Sequence, residues 1–375
     1  MRRAFVFILT RFLLFVNILY KNLFGGREDM SFDFNRICSV LSDSKNVKIA
    51  VAGDFCLDKY LYIDGRRDEI SLETGKIAYQ VTRRALYPGA AGTIANNLTS
   101  LGAEVVCCGL SGDDGEGWEL ERCLRQIRAD TRFMIKSPLI CTSTYTKPMY
   151  DDGSGPLTEL NRLDLRNTDE TPQELVRRLA CNIEKALDDC SAMIVCDQFT
   201  ERNCSAVTDS IRETLRRSAE KYPGKTVLAD SRGFIHEFRG VTIKCNNIEA
   251  ARAFGYSGED AASEKIIRDC GSRLAARNGR PAVITCGEKG AWIFTQSSGG
   301  ITAEHVNSFK VEGPVDICGA GDSFNAGYIL ASSLGLTLPE CLLVANAVAS
   351  VTIRQIGVTG TATIRQVCAA VPSYK

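Results

Sequence analysis

Three small residues precede a carboxylate near the end of the chain, in the order Gly319, Ala320, Gly321 and Asp322. Apolar residues at helical spacing follow, so the sequence predicts that a helix begins at this point. Small residues allow backbone N–H groups to converge at a helix start, where the helix dipole favours an anion. A carboxylate beside such a site could act as a base next to a bound phosphate, as a kinase requires. The alternative interpretation is a glycine-rich turn in which Asp322 caps the helix, and these residues alone leave both open.

The composition argues against several classes of partner and cofactor. The chain has 375 residues with 45 basic and 45 acidic side chains, so no net charge indicates a nucleic-acid partner. Its 16 cysteines form no CxxC pair and it has only two histidines, so a zinc site is not expected. Many of the cysteines lie within apolar runs, where they behave as small buried hydrophobes. They fit a reducing, cytoplasmic location better than a disulfide framework.

Residues 1–29 differ from the rest of the chain because they are rich in Phe, Leu, Ile and Val. Arg11 interrupts this hydrophobic stretch, and the uninterrupted part is short for a membrane span. We interpret residues 1–29 as a loose appendage, or as an extension that precedes a true start at Met30. A membrane anchor or signal-like segment is the alternative. Residues 30–375 are predicted to form the folded domain, because no linker rich in Pro, Gly or Ser divides them.

Helices and strands alternate regularly from Pro172 onward, which is typical of a mostly parallel sheet with helices on both faces. A short β-branched run, Val47–Gly53, predicts a further buried strand. The predicted helices of the alternating part cover residues 173–187, 205–221, 248–254 and 261–277, and its strands cover 192–196, 226–229, 241–244 and 282–286. The sequence therefore predicts a large α/β domain.

Two polar segments interrupt this pattern and predict a second, smaller sheet. Residues within about 60–87 and 143–166 contain apolar positions near alternation, which is typical of half-exposed strands. Arg162 and Asp164 are two residues apart and therefore lie on one face of their strand. A surface ion pair is the simpler interpretation. The alternative is an arginine that Asp164 orients toward a phosphate or hydroxyl of a substrate.

Polar residues follow most of the predicted parallel strands, at the point where each strand ends. Ligands bind at the carboxyl ends of strands in open α/β sheets, so we expect a crevice along this edge. Asp54 and Asp58 could hold sugar hydroxyls there, although a solvated loop is the alternative. Glu249 could organise Mg²⁺ through water, since Mg²⁺ keeps several waters when bound. The other members are Asp197, Asp230–Arg232, Asn246–Asn247 and Thr285–Gly290.

Two further segments could face ligands. Small residues at Gly89–Asn97 predict a close backbone approach, either to a ligand or to a packed strand. The pattern Thr337-x-x-Glu340 predicts a capping box at the start of a last helix. Asn346 in that helix could face a nucleotide base or solvent.

On these residues the chain resembles the ribokinase-like (PfkB) carbohydrate kinases across about residues 47–371. The most specific motif is DICGAGDSF at Asp316–Phe324, and Asn246-x-x-Glu249 supports it. The strings GDFCLD, NRLD, LADSRG and NNIEA are most similar to the kinase domain of heptose-7-phosphate kinase/adenylyltransferases. The resemblance implies a Rossmann-like αβα sandwich with a small β lid, which is often used for dimerisation.

The resemblance also implies an enzyme that uses ATP and Mg²⁺ to phosphorylate a hydroxyl of a sugar or sugar phosphate, such as heptose 7-phosphate. Asp322 would be the base, and the backbone amides of Gly319–Asp322, including Ala320 and Gly321, would form the anion hole for the transferring phosphoryl group. Asn246 and Glu249 would place Mg²⁺. The ATP site would include Thr285, Gly287, Gly290 and Asn346. The sugar site would include Asp54, Asp58, Gly89, Asn97 and Arg162.

Three positions depart from the usual family pattern. Ala90 replaces the second of two adjacent glycines in the sugar loop, Thr93 replaces a common Asn, and Cys318 replaces the Thr before GAGD. The first two leave the sugar open, so a nucleoside kinase of the same fold and a non-catalytic sugar-binding pseudokinase are alternatives. Two isolated histidines cannot supply the HxGH-type motif of an adenylyltransferase half. We expect neither a nucleic acid nor a membrane as partner, and a second copy of the chain could pair through the lid.

Overall fold

The computed structural model describes residues 31–357 and 359–374, and the following description concerns the unit that begins at Phe34. The hydrophobic segment 1–29 lies outside the described residues. Within the part that is described, no helix has both the length and the apolar character needed to cross a bilayer.

Strands form two main sheets and one short hairpin. The strands are β1 (Lys48–Gly53), β2 (Phe55–Asp64), β3 (Glu69–Ile70), β4 (Ile77–Ala78), β5 (Val81–Ala90), β6 (Glu104–Gly112), β7 (Ile135–Ser137), β8 (Thr144–Asp151), β9 (Thr158–Glu159), β10 (Leu163–Leu165), β11 (Ala192–Asp197), β12 (Thr226–Ser231), β13 (Thr242–Asn246), β14 (Ala282–Thr285), β15 (Ala291–Ser297) and β16 (Gly300–Val306). The large sheet has nine strands in the order β16-β15-β14-β13-β12-β11-β1-β6-β7. The seven strands from β14 to β7 are parallel, and β15 and β16 are antiparallel.

Helices cover both faces of the large sheet. The α-helices are α1 (Phe34–Leu41), α2 (Ala91–Ser100), α3 (Gly115–Gln126), α4 (Gln173–Asp189), α5 (Asp209–Lys221), α6 (Asn247–Ala253), α7 (Glu264–Asn278), α8 (Ala320–Ser333), α9 (Leu338–Thr352) and α10 (Ile364–Ala370). Ala50 and Ala52 of β1 belong to the apolar core that α4, α5 and α7 complete. Ile49 and Val51 are equally buried and point to the other face, where α2, α8 and α9 pack. This arrangement confirms the predicted αβα sandwich.

The second sheet, which we call the lid, consists of β10, β8, β2 and β5 in that order, with β9 paired to β8. The sequence predicted lid strands within about 60–87 and 143–166, whereas β2 already begins at Phe55, with only Asp54 between it and the end of β1. Gly53 turns the chain at φ 110°, and a Cβ there would lie 2.2 Å from the carbonyl oxygen of Cys196. Because of this tight turn, Asp58 lies within a lid strand and not in a loop after β1.

Candidate active site

The residues Gly319–Asp322 form the start of helix α8, as the sequence predicts. Gly319 adopts the left-handed conformation at φ 76°, and a Cβ there would lie 2.7 Å from the Cγ2 methyl of Thr359. The first N–H groups of a helix have no intrahelical partner, so this end can receive an anion. The N–H of Ala320 already donates to the carbonyl of Ile317 at 3.1 Å. The anion hole that the sequence predicts would therefore depend mainly on the amides of Gly321 and Asp322.

Asp322 is half-buried in the first turn of this helix. Burial, together with the negative charges of Asp230 and Asp58, raises its pKa to about 7, although Lys244 and Arg232 act in the opposite direction. A carboxylate with a pKa near the working pH is suited to general base catalysis. The simple capping interpretation does not account for such an environment, because a capping carboxylate is normally ionised and hydrogen-bonded.

A cavity of about 890 Å³ opens directly beside the helix start. Its size suits a nucleotide or another ligand of that size. The cavity brings together the four residues that the resemblance assigns to the ATP site, namely Thr285, Gly287, Gly290 and Asn346. Ala320 and Gly321 also line it. The remaining walls are largely apolar and include Phe309, Val311, Val315, Phe324 and Ile353.

Backbone geometry shapes this cavity more than charged groups do. Gly290 has φ 86° and ψ −141°, and a Cβ there would lie 2.1 Å from the carbonyl oxygen of Val306. Gly287 also has a positive φ of 58°, but a Cβ there would meet nothing within 4 Å. Asn346 donates from Nδ2 to the carbonyl of Asn307 at 3.0 Å, which ties helix α9 to the segment after β16.

Asn246 and Glu249 form a reciprocal capping box at the start of α6. The N–H of Glu249 donates to Asn246 Oδ1 at 2.8 Å, and Glu249 Oε2 accepts the N–H of Asn246 at 2.8 Å. Burial and the nearby charge of Asp230 raise the pKa of Glu249. Neither residue lines the nucleotide cavity.

The donors near Glu249 fit Mg²⁺ held through water and do not fit an all-protein metal cage. Among the described residues, no group of three or more His, Cys, Asp or Glu side chains is arranged to hold a metal. Mg²⁺ binds through one or two carboxylates plus substrate phosphates and retains several waters. The half-buried carboxylate of Glu249 matches that requirement.

The two carboxylates that the sequence assigned to the sugar have different surroundings. Asp54 is 3% exposed, and its two oxygens accept the backbone N–H groups of Gln198 and Ala206 at 2.8 and 2.9 Å. Asp54 therefore ties the end of β1 to the loop after β11. Asp58 lies on lid strand β2, and its charge reaches Asp322. Burial raises the pKa of Asp58, and Lys147, with Nζ 3.7 Å away, opposes this shift.

The remaining sugar-side residues are distributed between the lid and helix α2. Gly89 on β5 must lack a side chain, since a Cβ there would lie 2.8 Å from Asp58 Oδ2. Arg162 is ion-paired to Asp164 at 2.7 Å and lies over the ring of Tyr145 at 4.8 Å. Asn97 is 1% exposed and donates to the carbonyls of Thr93 and Gly360. Asn97 therefore has no surface through which it could contact a sugar in this conformation.

Three cationic residues to which the sequence analysis gave no role act on Asp322 or on Asp58. Lys244 is 4% exposed on β13, with Nζ 2.8 Å from Asp230 Oδ2. Lys147 lies on the lid and donates to Tyr60 Oη at 3.0 Å. Arg232 follows β12, and its side chain makes no ion pair or hydrogen bond with any residue that the structure describes. A lysine inside the otherwise apolar strand at Lys244 was a signal available in the sequence. Arg232 was named only as a member of the polar group Asp230–Arg232, and nothing local distinguished Lys147.

The αβα sandwich thus places a carboxylate with a raised pKa at a helix start, next to a cavity of nucleotide size. A family model described as pfkB family carbohydrate kinase matches residues 48–365. The chain belongs to this family.

Individual relatives agree with this assignment at modest identity. The bifunctional protein HldE of Wolinella succinogenes is 29% identical over 324 residues, which cover 85% of this chain and 63% of that protein. HldE of Trichlorobacter lovleyi is 27% identical over 341 residues, covering 90% and 66%. The chain thus spans less than two thirds of the length of these relatives. Arabidopsis thaliana ribokinase, solved with ribose and ATP, shares the fold at a TM-score of 0.63 and 17% identity, covering 87% of this chain and 98% of that one.

Proposed function

We propose that this protein transfers the γ-phosphoryl group of ATP to a hydroxyl of a sugar or sugar phosphate, with heptose 7-phosphate as the first acceptor to test. The observation that carries the proposal is the carboxylate of Asp322, with its pKa near 7, at a helix start beside a cavity of about 890 Å³. The choice of heptose 7-phosphate rests on the similarity of this chain to HldE proteins.

Asp322 would act as the general base. It would take the proton of the acceptor hydroxyl while that oxygen forms a bond to the γ-phosphorus. The bond from the γ-phosphorus to the bridging oxygen then breaks, and ADP leaves. Phosphoryl transfer needs positioning and charge stabilisation more than covalent chemistry, and the amides of Gly321 and Asp322 would supply part of that stabilisation.

Magnesium and ATP would be held by the groups already described. Glu249 would orient Mg²⁺ through water, and the bound ion would neutralise negative charge on the phosphate oxygens. Thr285, Gly287, Gly290 and Asn346 would surround the nucleoside part of ATP, consistent with the apolar walls of the cavity.

The acceptor would lie between the lid and the carboxyl edge of the large sheet. Asp58 is a lid carboxylate whose negative charge raises the pKa of Asp322. We therefore propose that Asp58 accepts a hydrogen bond from a sugar hydroxyl. The charge of Arg232 lowers the pKa values of Asp322, Glu249 and the lid residue Tyr145, so it acts on both the base and the lid. An arginine without a carboxylate partner is suited to a phosphate, which favours a phosphorylated acceptor over a nucleoside.

The lid would also form the contact between two copies of the chain. The β3–β4 hairpin segment, which connects lid strands β2 and β5, and the first residue of β5 expose several large apolar side chains, a feature that is typical of interaction surfaces. They are Ile70, Leu72, Ile77, Tyr79 and Val81.

The proposal is tested by measuring ADP release from ATP and Mg²⁺ with a panel of acceptors: heptose 7-phosphate, the free heptose, simple hexoses, hexose 6-phosphates and nucleosides. We expect turnover with the phosphorylated sugars. Below about pH 7, kcat/KM should fall tenfold per pH unit because Asp322 becomes protonated. Asp322→Asn should reduce kcat by about 10³-fold or more and should still bind ATP.

The matched control is Asp152→Asn, which changes an exposed carboxylate in a lid turn. This variant should retain wild-type kinetics. Full activity in Asp322→Asn would refute the base assignment. A folded protein that binds sugars and releases no ADP would instead be a pseudokinase, and turnover of nucleosides alone would identify a nucleoside kinase.

A further inference from the structure

A lysine and an aspartate form a buried pair beneath the helix start of α8. Asp230 and Lys244 lie opposite each other on the parallel strands β12 and β13, and their charged atoms are 2.8 Å apart. The side chains are only 19% and 5% exposed. Lysine is rarely buried to this extent unless it is paired, and a buried ion pair is by itself weak evidence of stabilisation. The pair therefore calls for a functional explanation.

The same pair is connected to the helix that carries the base. Asn325, one turn after Asp322, donates from Nδ2 to Asp230 Oδ2 at 2.6 Å and is fully buried. Asp230 thus accepts from Lys244 and from Asn325 at one oxygen. This links the position of helix α8 to the ends of two central strands.

The ammonium group of Lys244 lies directly against the backbone of the anion hole. A Cβ added to Gly321 would be 3.2 Å from Lys244 Nζ, so the absence of a side chain at Gly321 permits this close approach. The first-turn amides that would receive a phosphoryl group therefore have a fixed positive charge behind them. Lys244 does not line the nucleotide cavity, so it would act through this backbone and not by direct contact.

Charged groups on several elements face Asp322. Asp230 on β12 and Asp58 on the lid strand β2 raise its pKa, whereas Lys244 on β13 and Arg232 after β12 lower it. The carboxylate of Glu249 on α6 acts in turn on Lys244. The neighbouring thiols are those of Cys56, Cys196 and Cys318, and burial raises the pKa of each, which keeps them neutral.

We propose that the Lys244–Asp230 pair is a positioning device for phosphoryl transfer: it holds a positive charge behind the amides of Gly321 and Asp322, and through Asn325 it fixes the helix that presents the base. The inference rests on the proposed kinase function and adds two residues to it. Lys244 and Asp230 have opposite effects on the charge of Asp322, so removing one or the other must move the pH dependence in opposite directions.

The test uses the full chain and the variants Lys244→Met, Lys244→Arg and Asp230→Asn. We expect Lys244→Met to lower kcat by about 10- to 100-fold and to move the acidic limb of the kcat/KM profile to higher pH, with the acceptor KM unchanged. Asp230→Asn should move the same limb to lower pH. Lys244→Arg should restore part of kcat.

A second readout does not depend on turnover. Titration of ATP and of ADP should show that Lys244→Met weakens ATP binding at least about fivefold more than ADP binding, since only ATP places a γ-phosphate at the helix start. This ratio separates the inference from the proposed function. A wild-type protein that binds ATP but phosphorylates no acceptor would refute the proposed function and leave the ratio measurable, whereas one that binds neither nucleotide would refute both.

The matched control is Lys225→Met, at the other end of strand β12. Lys225 is a part-buried lysine that donates to the carbonyls of Leu187 and Asp188 at 2.7 and 2.8 Å. Its removal should lower stability without changing the pH profile or the ratio of ATP to ADP affinity. If folded Lys244→Met behaves in the same way, the pair is merely structural and the inference is wrong. If Lys244→Met does not fold, the pH shift of Asp230→Asn decides the question.

Discussion

The two sides of the proposed active site differ in the types of groups that form them. The proposed nucleotide side combines fixed glycine backbone, apolar walls and the buried amide of Asn346 with exposed charged residues at Glu288, Lys289 and Lys310. The proposed acceptor side has charged side chains from distant elements, with Asp58 and Lys147 on the lid and Arg232 after β12. A position fixed by backbone geometry is sensitive to an added side chain, whereas a charged side chain can be exchanged with less effect on the fold. The difference therefore predicts where each side tolerates substitution.

The nucleotide side should be most sensitive where backbone geometry is fixed. Gly290→Ala should destabilise the protein by about 2–4 kcal/mol and abolish ATP binding, because φ is positive and the Cβ would overlap the Val306 carbonyl. Thermal or urea unfolding and ATP titration measure both effects.

The matched control is Gly287→Ala in the same loop, where a Cβ would have open space. It should cost only about 1 kcal/mol, the penalty of the left-handed conformation itself. Equal effects of the two changes would show that backbone approach is not what fixes this side.

The acceptor side should respond to charge without loss of stability. Arg232→Met should raise the KM for a phosphorylated acceptor by about 10- to 100-fold, while the KM for ATP stays constant. Steady-state kinetics with both substrates varied, with and without added salt, provide the measurement.

Arg202→Met is the control for this change. Arg202 is an exposed arginine already ion-paired to Asp209 and Glu237, so its loss should leave both KM values unchanged. A rise in the KM for ATP in Arg232→Met would contradict this prediction, because it would show that Arg232 contributes to ATP binding.

The smallest effect is expected at Ala90, where the sugar loop departs from the family pattern. Ala90 has φ 51° and ψ −116°, a conformation that glycine adopts without strain. Ala90→Gly should therefore increase the free energy of unfolding by about 1 kcal/mol, as measured by urea denaturation.

The neighbouring change Ala91→Gly is the matched control. Ala91 is the first residue of helix α2, where glycine should lower stability by up to about 1 kcal/mol. If both changes destabilise the protein, the strain assigned to Ala90 is absent.

Local patterns in the sequence were sufficient for the fold class, whereas the residues of the nucleotide site were proposed from the family resemblance. The alternation of strands and helices predicted the sandwich because each element buries an apolar face that is visible in its own residues. The hairpin β15–β16 and the helix α1 were not predicted, although α1 has an apolar face with Ile37 and Leu41 buried and β16 alternates between more and less exposed positions. The motif at Gly319–Asp322 indicated the helix start because glycines and a carboxylate are adjacent there.

The acceptor side could not be obtained in this way. The pairing of Lys147 with Asp58 joins residues 89 positions apart, and the register between β2 and β8 decides it. Asp54 and Asp58 are both aspartates near the end of β1 in the sequence, but only the fold shows that Asp54 accepts backbone N–H groups and that Asp58 lies beside Lys147 on the lid.

By itself, then, the sequence determined which residues could do phosphoryl-transfer chemistry, since that information is contained in short motifs. Tertiary structure alone decided which charges surround the base. The electrostatic environment of Asp322 depends on side chains from β2, β12 and β13, and the spacing of such groups is set by packing between elements that are distant in the chain.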